Sequence, residues 1–256
     1  MTEGPLLGRP LWYELLTTDK AAAERFYASV VGWSVADAEG MSPPYALLSR
    51  AGDVPVAGVM TLPEGLEAPP HWVMYVGVPG LEDGVARVES LGGHALSPVI
   101  DVPAVGRMRT MLDDQGAMFS LYEPATPPQE PEAEPTVGDV AWHELYTKDP
   151  EAAMRFYGAL FGWRSTGAMD MGPMGTYHMF GRAFPLGGMM RQAPGMAGAP
   201  PLWGFYFSVS DVDAAVGRVS TGGGTVLNGP MEVPGGDRIV QCLDPQGAAF
   251  SLHQKA

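Results

Sequence analysis

Residues 12–33, WYELLTTDKAAAERFYASVVGW, recur as residues 142–163, WHELYTKDPEAAMRFYGALFGW, at a constant offset of 130 positions. A second echo, at 131, joins DDQGAMFSL (113–121) to DPQGAAFSL (244–252). Solenoid repeats run roughly 20–50 residues, so a period this long implies a tandem pair of domains. The expected limits are 1–123 for the first, 137–256 for the second, and 124–136 for the linker. The duplication also serves as an internal control, because chemistry present in one copy only is open to doubt.

A chain of 256 residues has room for two such cores. Its net charge of −14 opposes phosphate backbones and anionic lipid, so neither nucleic acid nor membrane is an expected partner. No apolar run approaches the ~18 residues that span a bilayer, and the first ten residues lack a signal-peptide pattern. A cytoplasmic protein is the expectation. The single cysteine, Cys242, matches Met111 in the other copy and reads as an apolar filler. Residues 123–135, EPATPPQEPEAEP, carry four glutamates and five prolines. This composition predicts an extended, solvated spacer, with a protein-docking strip as the alternative.

Each copy opens with a short strand, Leu11–Leu16 or Ala141–Tyr146, and a helix follows. Asp149 is a good N-cap, Pro150 suits the first helical position, and Gly162 supplies the stop. Asp19 and Gly32 match in the first copy. Short strands are expected at Tyr45–Arg50, Val56–Met60, Thr176–Phe180 and Leu186–Met190. Each second half begins with a strand, His71–Val78 or Trp203–Val209, then a helix, Leu81–Leu91 or Val212–Val219. Three closing strands lie near His94–Ser97, Arg107–Leu112 and Ala117–Tyr122, with Thr225–Leu227, Arg238–Leu243 and Ala248–His253 as counterparts. The order is βαβββ twice per domain.

Strand, Asp, Ala-rich helix, Phe-Tyr, Gly-Trp and a closing Asp-Pro-Gln-Gly-Ala-x-Phe-Ser-Leu together resemble the vicinal oxygen chelate superfamily of glyoxalases, bleomycin resistance proteins and extradiol dioxygenases. The resemblance covers nearly the whole chain outside the linker. It implies an α+β fold of tandem glyoxalase-like domains, each two βαβββ modules forming a half-open, eight-stranded barrel around a divalent metal. The superfamily's ligand positions fall here on Trp12, Val73 and Ser120, and on Trp142, Gly204 and Ser251. None of these suits a divalent ion, so neither a metal nor any other cofactor is expected.

Strand alternation then selects the residues of each pocket face. If Trp12 and Trp142 take the former ligand direction, Glu14 and Glu144 point the same way. His71, Tyr75, Met118, Ser120 and Tyr122 join them in the first copy, and Tyr206, Ser251 and His253 in the second. Glu14 and Glu144 are candidate general bases, or else carboxylates satisfied by backbone N–H groups or an arginine. His143 has the opposite parity and should face the helices. The face of His178 is undecided.

Sixteen methionines suit an adaptable apolar pocket or, for most of them, ordinary cores; with Trp12, Trp72, Trp142 and Trp203 the pockets read as apolar and aromatic, suited to a flat ligand. The loops Met169–Thr176 and Arg191–Pro201 are lids or plain turns. Three functional readings follow: a metal-independent isomerase, lyase or hydratase using a pocket glutamate; a binding protein that sequesters an aromatic compound, as in resistance; or a metal-dependent lyase or dioxygenase with non-standard ligands. The expected assembly is a monomer with pseudo-twofold domain pairing, or a homodimer.

Overall fold

The computed structural model describes residues 6–193, 195 and 198–256. Residues 1–5, part of the N-terminal segment read above, and residues 194, 196 and 197 of the Arg191–Pro201 loop lie outside that description.

The chain opens with strand β1 (Pro10–Thr17), helix α1 (Lys20–Val30) and strands β2 (Ser34–Asp37), β3 (Tyr45–Arg50) and β4 (Val54–Thr61). Then come β5 (His71–Gly77), α2 (Leu81–Ser90), β6 (His94–Ala95), β7 (Ile100–Val102), β8 (Gly106–Leu112) and β9 (Met118–Pro124). The second copy repeats the order with β10 (Val140–Thr147), α3 (Pro150–Phe161), β11 (Arg164–Asp170), β12 (Thr176–Gly181) and β13 (Pro185–Arg191). It closes with β14 (Leu202–Ser208), α4 (Val212–Thr221), β15 (Thr225–Glu232), β16 (Arg238–Leu243) and β17 (Ala249–Gln254). The strands build two sheets, ordered β2-β3-β4-β1-β5-β9-β8-β6, with β7 beside β8, and β11-β12-β13-β10-β14-β17-β16-β15. This is the α+β, tandem βαβββ architecture that the repeat and the element order imply.

The helix signals act as expected. Asp19 accepts from the Ala22 N–H at 2.9 Å, and Asp149 from Ala152 at 3.0 Å. Gly162 ends α3 at φ +73°, which a side chain would resist. In the Met169–Thr176 stretch, left open above between a lid and a plain turn, β11 runs to Asp170 and one 3₁₀ turn at Gly172–Met174 leads into β12. One segment departs from expectation. The acidic spacer is not wholly solvated, because Glu132 is half-buried 3.5 Å from Arg182. Burial raises the Glu132 pKa while the Arg182 and Arg9 charges oppose that rise.

The chain divides into two compact units, each drawing on both copies. One gathers residues 1–11, 74–134 and 143–203, and the other 12–73, 135–142 and 204–256. In the first, Tyr157 lies amid Phe119, Phe156, Phe161, Trp163 and Trp203 with ring centroids 5.0–6.1 Å apart. Its hydroxyl donates to Asp113 Oδ2 at 3.0 Å and accepts from Trp203 Nε1 at 3.1 Å. Asp113 Oδ1 caps the Gln115, Gly116 and Ala117 N–H groups of the turn. The other unit repeats the device. Tyr27 donates to Asp244 Oδ2 at 3.1 Å and accepts from Trp72 Nε1 at 3.0 Å, and Asp244 Oδ1 caps Gln246 and Ala248. The helix Tyr of one copy is thus bonded to the turn Asp of the other. Burial, reinforced by the Asp charge, pushes both phenols well above their usual range, so they remain O–H donors.

Tyr157→Phe strands Asp113 Oδ2 and the Trp203 N–H in a dry core. Urea unfolding should show a loss of about 1–3 kcal/mol. A change under ~0.3 kcal/mol would mean that the bond does not hold the unit.

Candidate functional site

On β1, Tyr13, Leu15 and Thr17 are buried, whereas Trp12, Glu14 and Leu16 are half-buried on the opposite face. The parallel register to β4 pairs Glu14 with Gly58 and Leu16 with Met60. Strand β10 repeats this: Glu144 pairs with Gly188 of β13, and Tyr146 with Met190. Glu14 and Glu144 therefore share the faces of Trp12 and Trp142 by strand parity.

The glycines explain what stands opposite each glutamate. A Cβ on Gly58 would lie 1.7 Å from the Tyr45 hydroxyl, and one on Gly188 would lie 2.0 Å from Tyr177 Cζ. Only a bare backbone lets the tyrosine ring of the neighbouring antiparallel strand lie across it. In the first copy the Tyr45 hydroxyl accepts from Trp12 Nε1 at 2.9 Å. In the second, Tyr177 donates to Glu144 Oε1 at 3.0 Å, and Tyr146 donates to Oε2. Glu144 is only 7% exposed, so both carboxylate oxygens are satisfied by phenols away from bulk water. Sequence reading found the two glutamates but missed Tyr45, Tyr146, Tyr177 and the two glycines. The available signal was a glycine inside each strand at the same repeat offset, Gly58 and Gly188.

The remaining expected site residues fall into smaller groups. Tyr75 pairs in register with Ser120, which is fully buried with its Oγ 3.1 Å from Thr110 Oγ1. Tyr122 packs edge-on to Tyr75 and donates to the Val105 carbonyl at 2.9 Å, and burial raises its pKa. Met118 is half-buried on the same strand. His71 donates from Nδ1 to the Pro69 carbonyl at 2.7 Å. In the other copy, Tyr206 pairs with Ser251, and its hydroxyl accepts from Gln241 Nε2 at 3.2 Å. His253 donates from Nε2 to Asp237 at 2.7 Å, while its enclosed Nδ1 has no partner among the described residues. Burial opposes ionisation of Asp237, but the bonds from His253 and the Ala256 N–H bring its pKa down overall.

Two expectations need correction or completion. Trp72 and Trp203 are not pocket walls: strand alternation turns them into the cores, where they donate to Tyr27 and Tyr157. Of the methionines, Met60 and Met190 lie half-buried in register with Leu16 and Tyr146, whereas Met74, Met111 and Met189 are core. His143 is 3% exposed and donates to the Leu186 carbonyl, and burial lowers its pKa to about 4. His178, half-buried in β12, pairs with Ala168 and Met189. Burial pushes the Cys242 thiol up to about 12, which leaves it unreactive.

The sequence profile of the Glyoxalase/Bleomycin resistance protein/Dioxygenase superfamily matches residues 139–252. The chain is 33% identical over 260 residues to the "Putative glyoxylase CFP32" of Mycobacterium tuberculosis, covering 97% of this chain and 95% of that one. The chain belongs to this superfamily. It is also 31% identical over 268 residues to the anthracycline biosynthesis protein DauV of Streptomyces sp. strain C5, covering 96% and 92% of the two chains. The 2,3-dioxygenase LapB of Pseudomonas sp. KL28 shares the fold, with a TM-score of 0.68 at 13% identity over 98% of this chain and 94% of that one.

The divalent centre associated with the superfamily does not fit these residues. At the expected ligand positions, Trp12 presents an indole N–H already committed to Tyr45, Val73 is buried and apolar, and Ser120 is engaged by Thr110. Trp142, Gly204 and Ser251 offer no better set. Among the described residues no three His, Cys, Asp or Glu side chains come together as a metal-holding group.

Gly188→Ala should expel the Tyr177 ring from its place over β13, break the Tyr177–Glu144 bond and cost about 1–3 kcal/mol. A crystal structure of the variant with Tyr177 unmoved would contradict this. His143 gives a pH signature. Unfolded, it titrates near 6.5; folded, near 4. Its contribution is complete above pH ~6.5 and lost as pH falls through about 4, a decline of roughly 3 kcal/mol. Denaturation in His143→Gln should lack that component between pH ~6.5 and ~4.

Proposed function

We propose that the chain binds a small, flat, aromatic molecule on the sheet face that carries Glu144, and that Glu144 exchanges a proton with it. The reaction type is isomerisation, elimination or hydration without a metal. The observation that carries this reading is the carboxylate with a phenolic O–H on each oxygen, buried to 7% exposure. Tyr177 can pass its proton to Glu144 Oε1 as its own oxygen takes one from the ligand. The carboxylate is then the net proton acceptor, and the phenol fixes the direction of transfer. Anthracyclines are fused-ring aromatics, so the biosynthesis relatives support a flat aromatic ligand. Met190, half-buried and in register with Tyr146, supplies adaptable apolar surface of the kind such ligands use.

A second reading, sequestration without turnover, has one observation in its favour. Both oxygens of Glu144 are already engaged, which suits a fixed polar anchor as well as a base.

Glu144→Gln tests the two together, against ligands found by an unbiased screen of aromatic compounds. For the enzyme, turnover should fall by at least ~10²-fold while affinity changes less than ~3-fold, since shape is kept and proton acceptance lost. For the binder, the wild type leaves the ligand unchanged and the variant loses about tenfold in affinity for ligands with polar substituents. Unchanged turnover and unchanged affinity would reduce Glu144 to a structural role.

A further inference from the structure

The C-terminal ends of β10 and β13 lie side by side, with Thr147 in register with Arg191. Just beyond them a cavity of about 540 Å³ is lined by Lys148, Arg191, Gln192, Gly198, Ala199 and Pro200. That volume suits a small organic molecule. Its wall is fastened: the Gln192 N–H donates to the Thr147 carbonyl at 2.9 Å, and Gln192 Nε2 donates to the Ala199 and Pro200 carbonyls at 3.2 and 3.1 Å.

Lys148 and Arg191 are exposed and, like Arg25 and Arg155, pair with no carboxylate among the described residues. What distinguishes them is that both line one cavity whose lining holds no Asp or Glu among the described residues. At the repeat offset the first copy has Thr18, Thr61 and Leu62 in place of Lys148, Arg191 and Gln192. The positive pair therefore belongs to the second copy alone. In a molecule of net charge −14, two unneutralised cations at one cavity make a local exception to a field that repels anions.

We infer that this cavity is a binding site for a small organic anion, with Lys148 and Arg191 holding its carboxylate or phosphate group. Arg191 supplies the planar fork that carboxylate and phosphate oxygens match in pairs, and Lys148 a mobile point charge. The inference stands apart from the Glu144 reading, since neither cation is part of that cluster.

Calorimetric titration of the whole chain with 2-naphthoate, its neutral isostere 2-naphthamide and inorganic phosphate tests it. Naphthoate should bind at least about tenfold more tightly than naphthamide at low salt, and the preference should shrink as salt rises. The double variant Lys148→Met/Arg191→Met, whose sites are exposed and whose fold circular dichroism would verify, should abolish the preference and leave the naphthamide affinity unchanged. Glu144→Gln should retain the preference, which separates this site from the proposed proton-transfer centre. Phosphate binding lost in the double variant would keep the site and assign it to phosphate. No anion binding at millimolar concentration, or equal binding by the double variant, would overturn the inference.

Discussion

A Cβ at Gly188 would sit 2.0 Å from the Tyr177 ring, and so the polar centre of the second copy depends on a side chain that is missing. With the backbone bare, the ring crosses β13 and its hydroxyl reaches Glu144 on β10. Tyr146, two residues along the same strand, closes on the other oxygen. A carboxylate in so dry a place is costly unless its oxygens are bonded, and the two phenols meet that requirement. The first copy keeps the glycine and the tyrosine, and there the phenol accepts from Trp12 Nε1.

The scaffold beneath these clusters is held by a second use of the same chemistry. Tyr157 with Asp113, and Tyr27 with Asp244, put a phenol against a carboxylate in each aromatic core. In these pairs the other carboxylate oxygen caps a turn, and the phenol is ringed by aromatic side chains, which leaves no route for a ligand. At Glu144 the partners are instead half-buried tyrosines on a sheet face. The contrast separates a fastening from a candidate site: one is closed on all sides, the other presents half-buried phenols.

Much of this was legible in the residues. The repeat, the Asp19 and Asp149 caps and the order of elements were enough to give the architecture. The partners were not legible. Tyr177 reaches Glu144 through a pairing of strands far apart in the chain, and no local pattern states which tyrosine crosses which glycine. Trp72 and Trp203 read as pocket walls because tryptophan suits a flat ligand, yet their parity, opposite to that of Val73 and Gly204, turns them into the core. The Tyr–Asp bonds between copies were likewise hidden: each motif shows that its Tyr or Asp is special, but not that the partner lies in the other copy.

In the proposed function, the Glu144–Tyr146–Tyr177 cluster is where a ligand meets this protein. A crystal structure with a screened aromatic ligand bound tests it most directly. The account predicts a polar ligand atom within hydrogen-bonding distance, about 2.6–3.2 Å, of Glu144 or of one of the two phenols. A ligand held elsewhere, with both phenols still closed on Glu144 and out of its reach, would contradict it.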